Sequence, residues 1–266
     1  MGTGSRRRSA YGFTADYDTQ RQSCARHRWR ARHRPGDRGG ARSLRRGRGF
    51  CDICDPELAA GTLSAIRQTG QSGRYFRTNV ADRSGLERLF KDVLNEFGRL
   101  DILVNNAAVN IRKPLVDLDV ADVEKVWDVA LWGVFHCSQL AARQIVKQGG
   151  GSIVVISSVH AERPFPNTTA YNGAKAAVSH MALTWAAELA KNNIRLNVIE
   201  PGWIDTPGER THYTEEQILE DGRKLPLGRL GKAEEIATAV RYLVSDEAFY
   251  ITGSCMRVDG GILLPR

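Results

Sequence analysis

The chain predicts one large α/β domain, and three observations carry that expectation. Its 266 residues match the size of a single such domain. Strand-length apolar runs recur at 100–104, 151–158 and 194–199. Longer stretches at 83–97, 120–148 and 174–189 read as helices, the last by small and apolar residues at helical spacing. A hydrophobic content of 42% supports a real core. No apolar run reaches the ~18 residues that cross a bilayer. The N-terminal charges precede no apolar stretch of the kind a secretory leader carries, so a cytoplasmic location is expected. The five cysteines (Cys24, Cys51, Cys54, Cys137, Cys255) are scattered, and the lone pair Cys51-x-x-Cys54 has no second pair to complete a zinc site. Reduced thiols and no metal are expected.

The net charge of +8 is unevenly spread. Residues 1–50 hold fourteen Arg, no Lys and three Asp, or +11, which leaves −3 for the remainder. Residues 1–49 therefore stand apart as a basic, Arg-rich segment. With no Ile, no Val and one Leu (Leu44), the segment is expected to form neither a buried strand nor an amphipathic helix. Three readings compete: a nucleic-acid-binding arm, an organelle transit peptide without its apolar face, or translation out of frame. The last is favoured, because arginine without lysine is what GC-rich DNA gives in a wrong frame. Nucleic acid is accordingly not expected as a partner.

The chemistry centres on Tyr171-Asn172-Gly173-Ala174-Lys175. A tyrosine and a lysine four residues apart share one helix face. A free phenol has a pKa of about 10, too high for acid–base work near neutrality, and an adjacent ammonium favours the phenolate. A lowering of roughly three units is the expected result. Ser158 closes the strand-like run 151–158 and can hydrogen-bond a substrate oxygen beside the tyrosine. Ser158, Tyr171 and Lys175 together resemble the active site of the short-chain dehydrogenase/reductase family, and the resemblance covers about residues 50–266. It implies a Rossmann-type, doubly wound parallel sheet and reversible hydride transfer between NAD or NADP and an alcohol or carbonyl. In that scheme Tyr171 moves the proton, Lys175 tunes it and binds the nicotinamide ribose, and Ser158 holds the substrate oxygen.

The remaining elements follow in order. Asp52-Ile53-Cys54-Asp55-Pro56 reads as the end of a strand and the start of a helix at Pro56. An acidic residue there suits the adenosine ribose and repels a 2′-phosphate, so Asp52, with Asp55 second, favours NAD. Asp55 reads equally as a helix N-cap. Residues 57–69 read as a helix, 75–80 as a strand, and 83–97 as a helix stopped at Gly98. The resemblance places Asn79 and Val80 against the adenine. It places Asn106 and Ala107, within Asn105-Asn106-Ala107-Ala108, where the cofactor passes close. Ala130 stands where the family carries an asparagine of its proton relay, which puts that relay in doubt. His160 and Arg163 read either as lining a polar substrate or as solvated loop residues. Pro201, Gly202, Ile204 and Thr206 resemble the family's turn against the nicotinamide, and 207–227 resembles its mobile lid.

The segment 1–49 carries no match to the family's first strand and glycine-rich turn. Gly36-Asp37-Arg38-Gly39-Gly40 and Gly47-Arg48-Gly49 read as coil. Read one base later with CGN arginine codons, Arg26 to Gly40 permits Gly-Ile-Gly-Gly-Ala-Arg-Ala-Ile-Ala-Leu-Ala-Ile-Ala-Glu, a glycine turn running into an apolar helix. The expected protein is an oxidoreductase acting on a small alcohol or carbonyl, such as a sugar or polyol, as a homodimer or homotetramer. The alternative is a catalytically impaired Rossmann-fold binding protein with a basic arm.

Overall fold

The computed structural model describes the backbone of residues 27–30, 47–211 and 213–265. Its main sheet has seven strands: β1 (His27–Arg30), β2 (Gly47–Asp52), β3 (Ser72–Arg77), β4 (Ile102–Asn105), β5 (Gly151–Ile156), β6 (Ile194–Pro201) and β9 (Cys255–Val258). They are ordered β3-β2-β1-β4-β5-β6-β9, and a short ladder pairs β7 (Ile204–Asp205) with β8 (Gly231–Lys232). The crossing helices are α1 (Pro56–Gln68), α2 (Arg83–Phe97), α3 (Val120–Trp127), α4 (Val134–Gln148), α5 (Thr169–Leu189), α6 (Glu215–Arg223) and α7 (Ala233–Val244). A single wide turn, Asp128–Gly133, joins α3 to α4 without a break.

Strand alternation divides the core. Leu103, Ile153, Val155, Leu196 and Val198 face one layer, packing with Leu86 and Val93 of α2, Cys137 and Ala141 of α4, and Val178 and Ala182 of α5. Their neighbours Ile102, Val104, Val154, Ile156 and Ile199 face α7 through Leu243 and Val244. Both faces of the central strands are thus covered, which is why these strands read as unbroken apolar runs. Helix α2 ends where the sequence says it should: Gly98 adopts φ 76° and its N–H reaches the Leu94 carbonyl. Gly151 opens β5 because a Cβ there would lie 2.5 Å from the Asp101 carbonyl oxygen, which is fixed backbone.

The N-terminal expectations need two corrections. His27–Arg30 forms a strand, whereas the segment before residue 50 was expected to form none. It fills the slot between β2 and β4, but antiparallel to both. The reason is backbone, not side chain: that slot leaves N–H and C=O groups of two strands open, and any extended segment satisfies them. The sheet is therefore mixed rather than wholly parallel. Gly47-Arg48-Gly49 is also strand, not coil, paired in parallel register with Ser72, Gly73 and Arg74. A Cβ on Gly47 would lie 2.2 Å from the Phe97 ring, so the glycine lets α2 close over β2. The run Gly36–Gly40 lies outside the described residues.

Candidate active site

The carboxyl ends of the parallel strands build the site. Asp52 ends β2, Asn79 and Val80 follow β3, Asn106 and Ala107 follow β4, Ser158 follows β5, and Pro201 ends β6. These seven residues therefore share one edge of the sheet, the edge where open α/β sheets bind ligands.

Three contacts fix the centre. Ser158 is extended (φ −170°, ψ 157°), and its Oγ accepts the His160 N–H at 3.2 Å. The same hydroxyl acts on the Tyr171 phenol, pulling its pKa down. Lys175, 1% exposed, sends Nζ to the Ile156 carbonyl at 2.8 Å and lies 5.4 Å from the Tyr171 ring centre. The Ser157 hydroxyl closes the loop by donating to the Lys175 carbonyl at 3.1 Å. Strand β5 and helix α5 thus hold serine, tyrosine and lysine in one place.

The electrostatics differ from expectation. Burial pushes the Tyr171 phenol up to about 12, outweighing the Ser158 hydrogen bond that pulls it down. Burial likewise draws the Lys175 amine down to about 8. The expected lowering of the tyrosine is therefore corrected: the ammonium is turned to Ile156, and desolvation dominates both groups.

A polar wall surrounds the pair. His160 stacks on Phe165 at 4.3 Å and meets Tyr171 edge-on at 5.1 Å. Its Nδ1 lies 2.6 Å from the Asn172 amide oxygen, which also accepts from Thr168. Because the Asn172 Nδ2 donates to the Phe165 carbonyl, its oxygen is the acceptor, so Nδ1 of His160 carries the proton and Nε2 keeps its lone pair. Burial lowers His160 to about 4 and keeps it neutral. His160 thus packs against Tyr171 rather than standing free as a solvated loop residue. Arg112, Glu209 and Tyr213 were not singled out by sequence. Arg112 donates to Tyr213 Oη at 2.8 Å and to Glu209 Oε1 at 3.2 Å. The only available signal was a cation in the loop after Asn105–Ala108.

Other predicted residues are engaged locally. Asn79 is exposed and its amide oxygen accepts the Ala81 N–H at 3.0 Å. Thr206 Oγ1 accepts the Glu209 N–H at 3.3 Å, and Ile204 pairs with Gly231. The Gly202 N–H reaches the Val258 carbonyl at 3.1 Å. Asp52 is buried, and its Oδ1 accepts the Cys54 N–H at 3.1 Å. Asp55 precedes α1 without a side-chain cap and instead pairs with Arg77 at 3.0 Å. Ala130 is fully buried among Ile111, Val126, Ala170 and Ala174, with no amide to hold a relay water.

These residues fit a nicotinamide dinucleotide at one end. Lys175 has three N–H donors, and one is used among the described residues, which leaves a buried cation with donors for ribose oxygens. Asp52 supplies a carboxylate at the adenosine end. The phosphate cradle does not fit: Arg30 pairs with Arg48 and Ile102, so the chain leaves β1 at the opposite edge of the sheet. Among the described residues no glycine-rich turn faces the crevice.

Fold and site together define an oxidoreductase of the Rossmann class, acting on alcohols or carbonyls with NAD or NADP. Residues 50–263 match the family model described as enoyl-(acyl carrier protein) reductase. The 3-oxoacyl-(acyl-carrier-protein) reductase of Thermotoga maritima is 41% identical over 187 residues, 70% of this chain and 75% of that protein. Among solved structures, acetoin dehydrogenase from Enterobacter cloacae aligns with a TM-score of 0.75 at 34% identity, covering 82% of this chain and 86% of that one. A 7α-hydroxysteroid dehydrogenase in complex with NADH and 7-oxo glycochenodeoxycholic acid aligns with a TM-score of 0.75 at 34% identity, covering 80% and 83%. The chain belongs to the short-chain dehydrogenase/reductase family. Among the described residues no helix is long and apolar enough to cross a membrane.

Proposed function

We infer that the protein works as a carbonyl reductase at neutral pH, with Tyr171 as proton donor, Ser158 holding the substrate oxygen and Lys175 binding the nicotinamide ribose. The observation that carries this is the buried Lys175 amine 5.4 Å from the Tyr171 ring, with Ser158 joined to that ring's edge neighbour His160. A bound nicotinamide supplies the hydride. The chain's part is to orient the carbonyl and deliver a proton. A phenol at about 12 is protonated throughout the neutral range, so it can give a proton but is seldom free to take one. The 3-oxoacyl reductase relative acts in that direction by its name. The reduction rate is expected to stay level from about pH 6 to about pH 9, while alcohol oxidation climbs over the same span. Equal slopes for the two directions would remove the assignment.

Asn79, Val80, Asn106, Ala107, Pro201, Gly202, Ile204 and Thr206 line the cofactor crevice on this reading, and Asp52 favours NAD over NADP. Residues 1–49 are an out-of-frame product standing in for the strand and turn that cradle the pyrophosphate, with the dehydrogenase domain beginning at residue 50. The family match starting at residue 50 supports this, as does the reversed direction of β1. Titration with NADH and NADPH tests both points. The chain as written should bind NADH weakly, and a chain with the frame restored at least tenfold more tightly, with NADPH behind it. Equal, tight NADH binding by the two chains would remove the frame reading. The half-exposed Trp132, with Phe135 and His136 beside it, marks a face for a second copy in a homodimer or homotetramer. Light scattering checks the assembly, and cell fractionation the cytoplasmic location.

A further inference from the structure

We propose that Arg112 anchors a carboxylate of the substrate, so that the substrates are hydroxy acids and the matching oxo acids. This rests on the reading that Ser158 and Tyr171 receive the reacting oxygen.

The placement comes first. Ile111 is buried against Val126, Ala130, Ala170 and Ala174, the cluster on which Tyr171 also packs. Arg112 is the next residue, and the Lys113 N–H after it reaches the Asn167 carbonyl at 2.9 Å, so this loop runs alongside the start of the helix that carries Tyr171. Its guanidinium and the Glu209 carboxylate both act on Tyr171 through space, one favouring the phenolate and the other opposing it. Lys175 is buried and His160 is neutral, so among the described residues the Arg112 guanidinium is a positive group left on this side of Tyr171.

Its present partner is a poor match. A guanidinium offers five N–H donors in a planar fork that suits a carboxylate gripped by both oxygens. Among the described residues Arg112 uses two: Nη1 on the Tyr213 phenol and Nη2 on one oxygen of Glu209. The other Glu209 oxygen accepts the Trp203 indole N–H at 3.2 Å. Glu209 also sits on a one-turn helix, Glu209–Thr211, at the start of the lid segment. It behaves as a carboxylate supplied by the chain where a ligand carboxylate fits better. Exchange of one for the other keeps a negative partner on the half-buried cation throughout, which avoids the large cost of leaving it unpaired. The neutral His160, with a lone pair on Nε2, can accept from a further hydroxyl of the same acid.

The exchange releases the Trp203 indole from Glu209, so tryptophan fluorescence reports it, with Trp203→Phe as the control for the signal. The full chain is titrated without dinucleotide using 3-hydroxybutyrate and gluconate, against methyl 3-hydroxybutyrate and glucitol as neutral counterparts. Leaving out the dinucleotide separates this test from any failure of turnover. Both acids should change the signal saturably and bind at least about tenfold more tightly than their neutral counterparts. Arg112→Gln should abolish that preference. Glu209→Gln, which removes the competing charge and keeps an acceptor for only one of its two donors, should tighten the acids and leave the neutral compounds unchanged. It decides the matter even if Arg112→Gln folds poorly. Equal binding of acids and neutral compounds, no acid binding, or an acid preference that Glu209→Gln leaves untouched would each overturn the proposal.

Discussion

Replacing Tyr171 by Phe lowers turnover by about 10³-fold while the affinity for dinucleotide stays within about twofold. The substitution deletes one oxygen and keeps the ring that packs beside Ile111, Ala170 and Ala174. Its edge contact with His160 also survives, since that contact involves the ring alone. What is lost is the phenolic proton and the partner of the Ser158 hydroxyl. Ser158 keeps the His160 N–H, so its oxygen is not stranded. The stability cost should be that of one hydrogen bond, about 1 kcal/mol. The effect thus falls on the chemical step, because the neighbouring His160 is neutral with its proton committed to Asn172. The comparison belongs in a chain that binds dinucleotide, with single-turnover reduction as the readout. Turnover within tenfold of the parent would show that another group delivers the proton.

The parts of this molecule that were legible in the sequence are those set by local spacing. Tyr171 and Lys175 share a helix face at any position in any fold, and the runs around Leu103, Ile153 and Val198 need burial on both sides wherever they occur. Strand ends then converge because parallel strands must. Three things were not legible, each for a physical reason. The direction of the Tyr171 shift depends on how much water the finished fold excludes, and no spacing encodes that. The Arg112–Glu209 pair joins residues 97 apart, brought together by the fold rather than by a motif. The strand at His27–Arg30 follows from the open backbone edges of β2 and β4, a demand that belongs to the sheet and not to the segment that meets it. Ala130, by contrast, was flagged by resemblance, and its burial without any polar partner is consistent with a relay that ends at Lys175.

Lys175→Met is the sharper test, because it separates catalysis from stability with opposite expectations. Turnover should fall by about 10²-fold or more, since the buried amine 5.4 Å from the Tyr171 ring disappears and the proposed ribose donor with it. Stability at neutral pH should hardly change. In the folded chain burial holds the Lys175 amine at about 8, against an ordinary value of 10.5. A lowered value means that the fold disfavours the charged form, so the penalty is complete below about pH 8 and is relieved as pH climbs toward 10.5. The penalty at neutral pH is roughly 3 kcal/mol. Methionine, unbranched and apolar, removes it, but strands the Ile156 carbonyl that now accepts from Nζ. That loss costs about 1–3 kcal/mol, so the two effects nearly cancel. The signature lies in the pH dependence: the parent should gain stability relative to the variant as pH rises from about 8 to about 10, as urea unfolding at each pH would show. Parallel curves would mean that Lys175 is not strained by burial. A variant that also retained turnover would take the lysine out of the mechanism altogether.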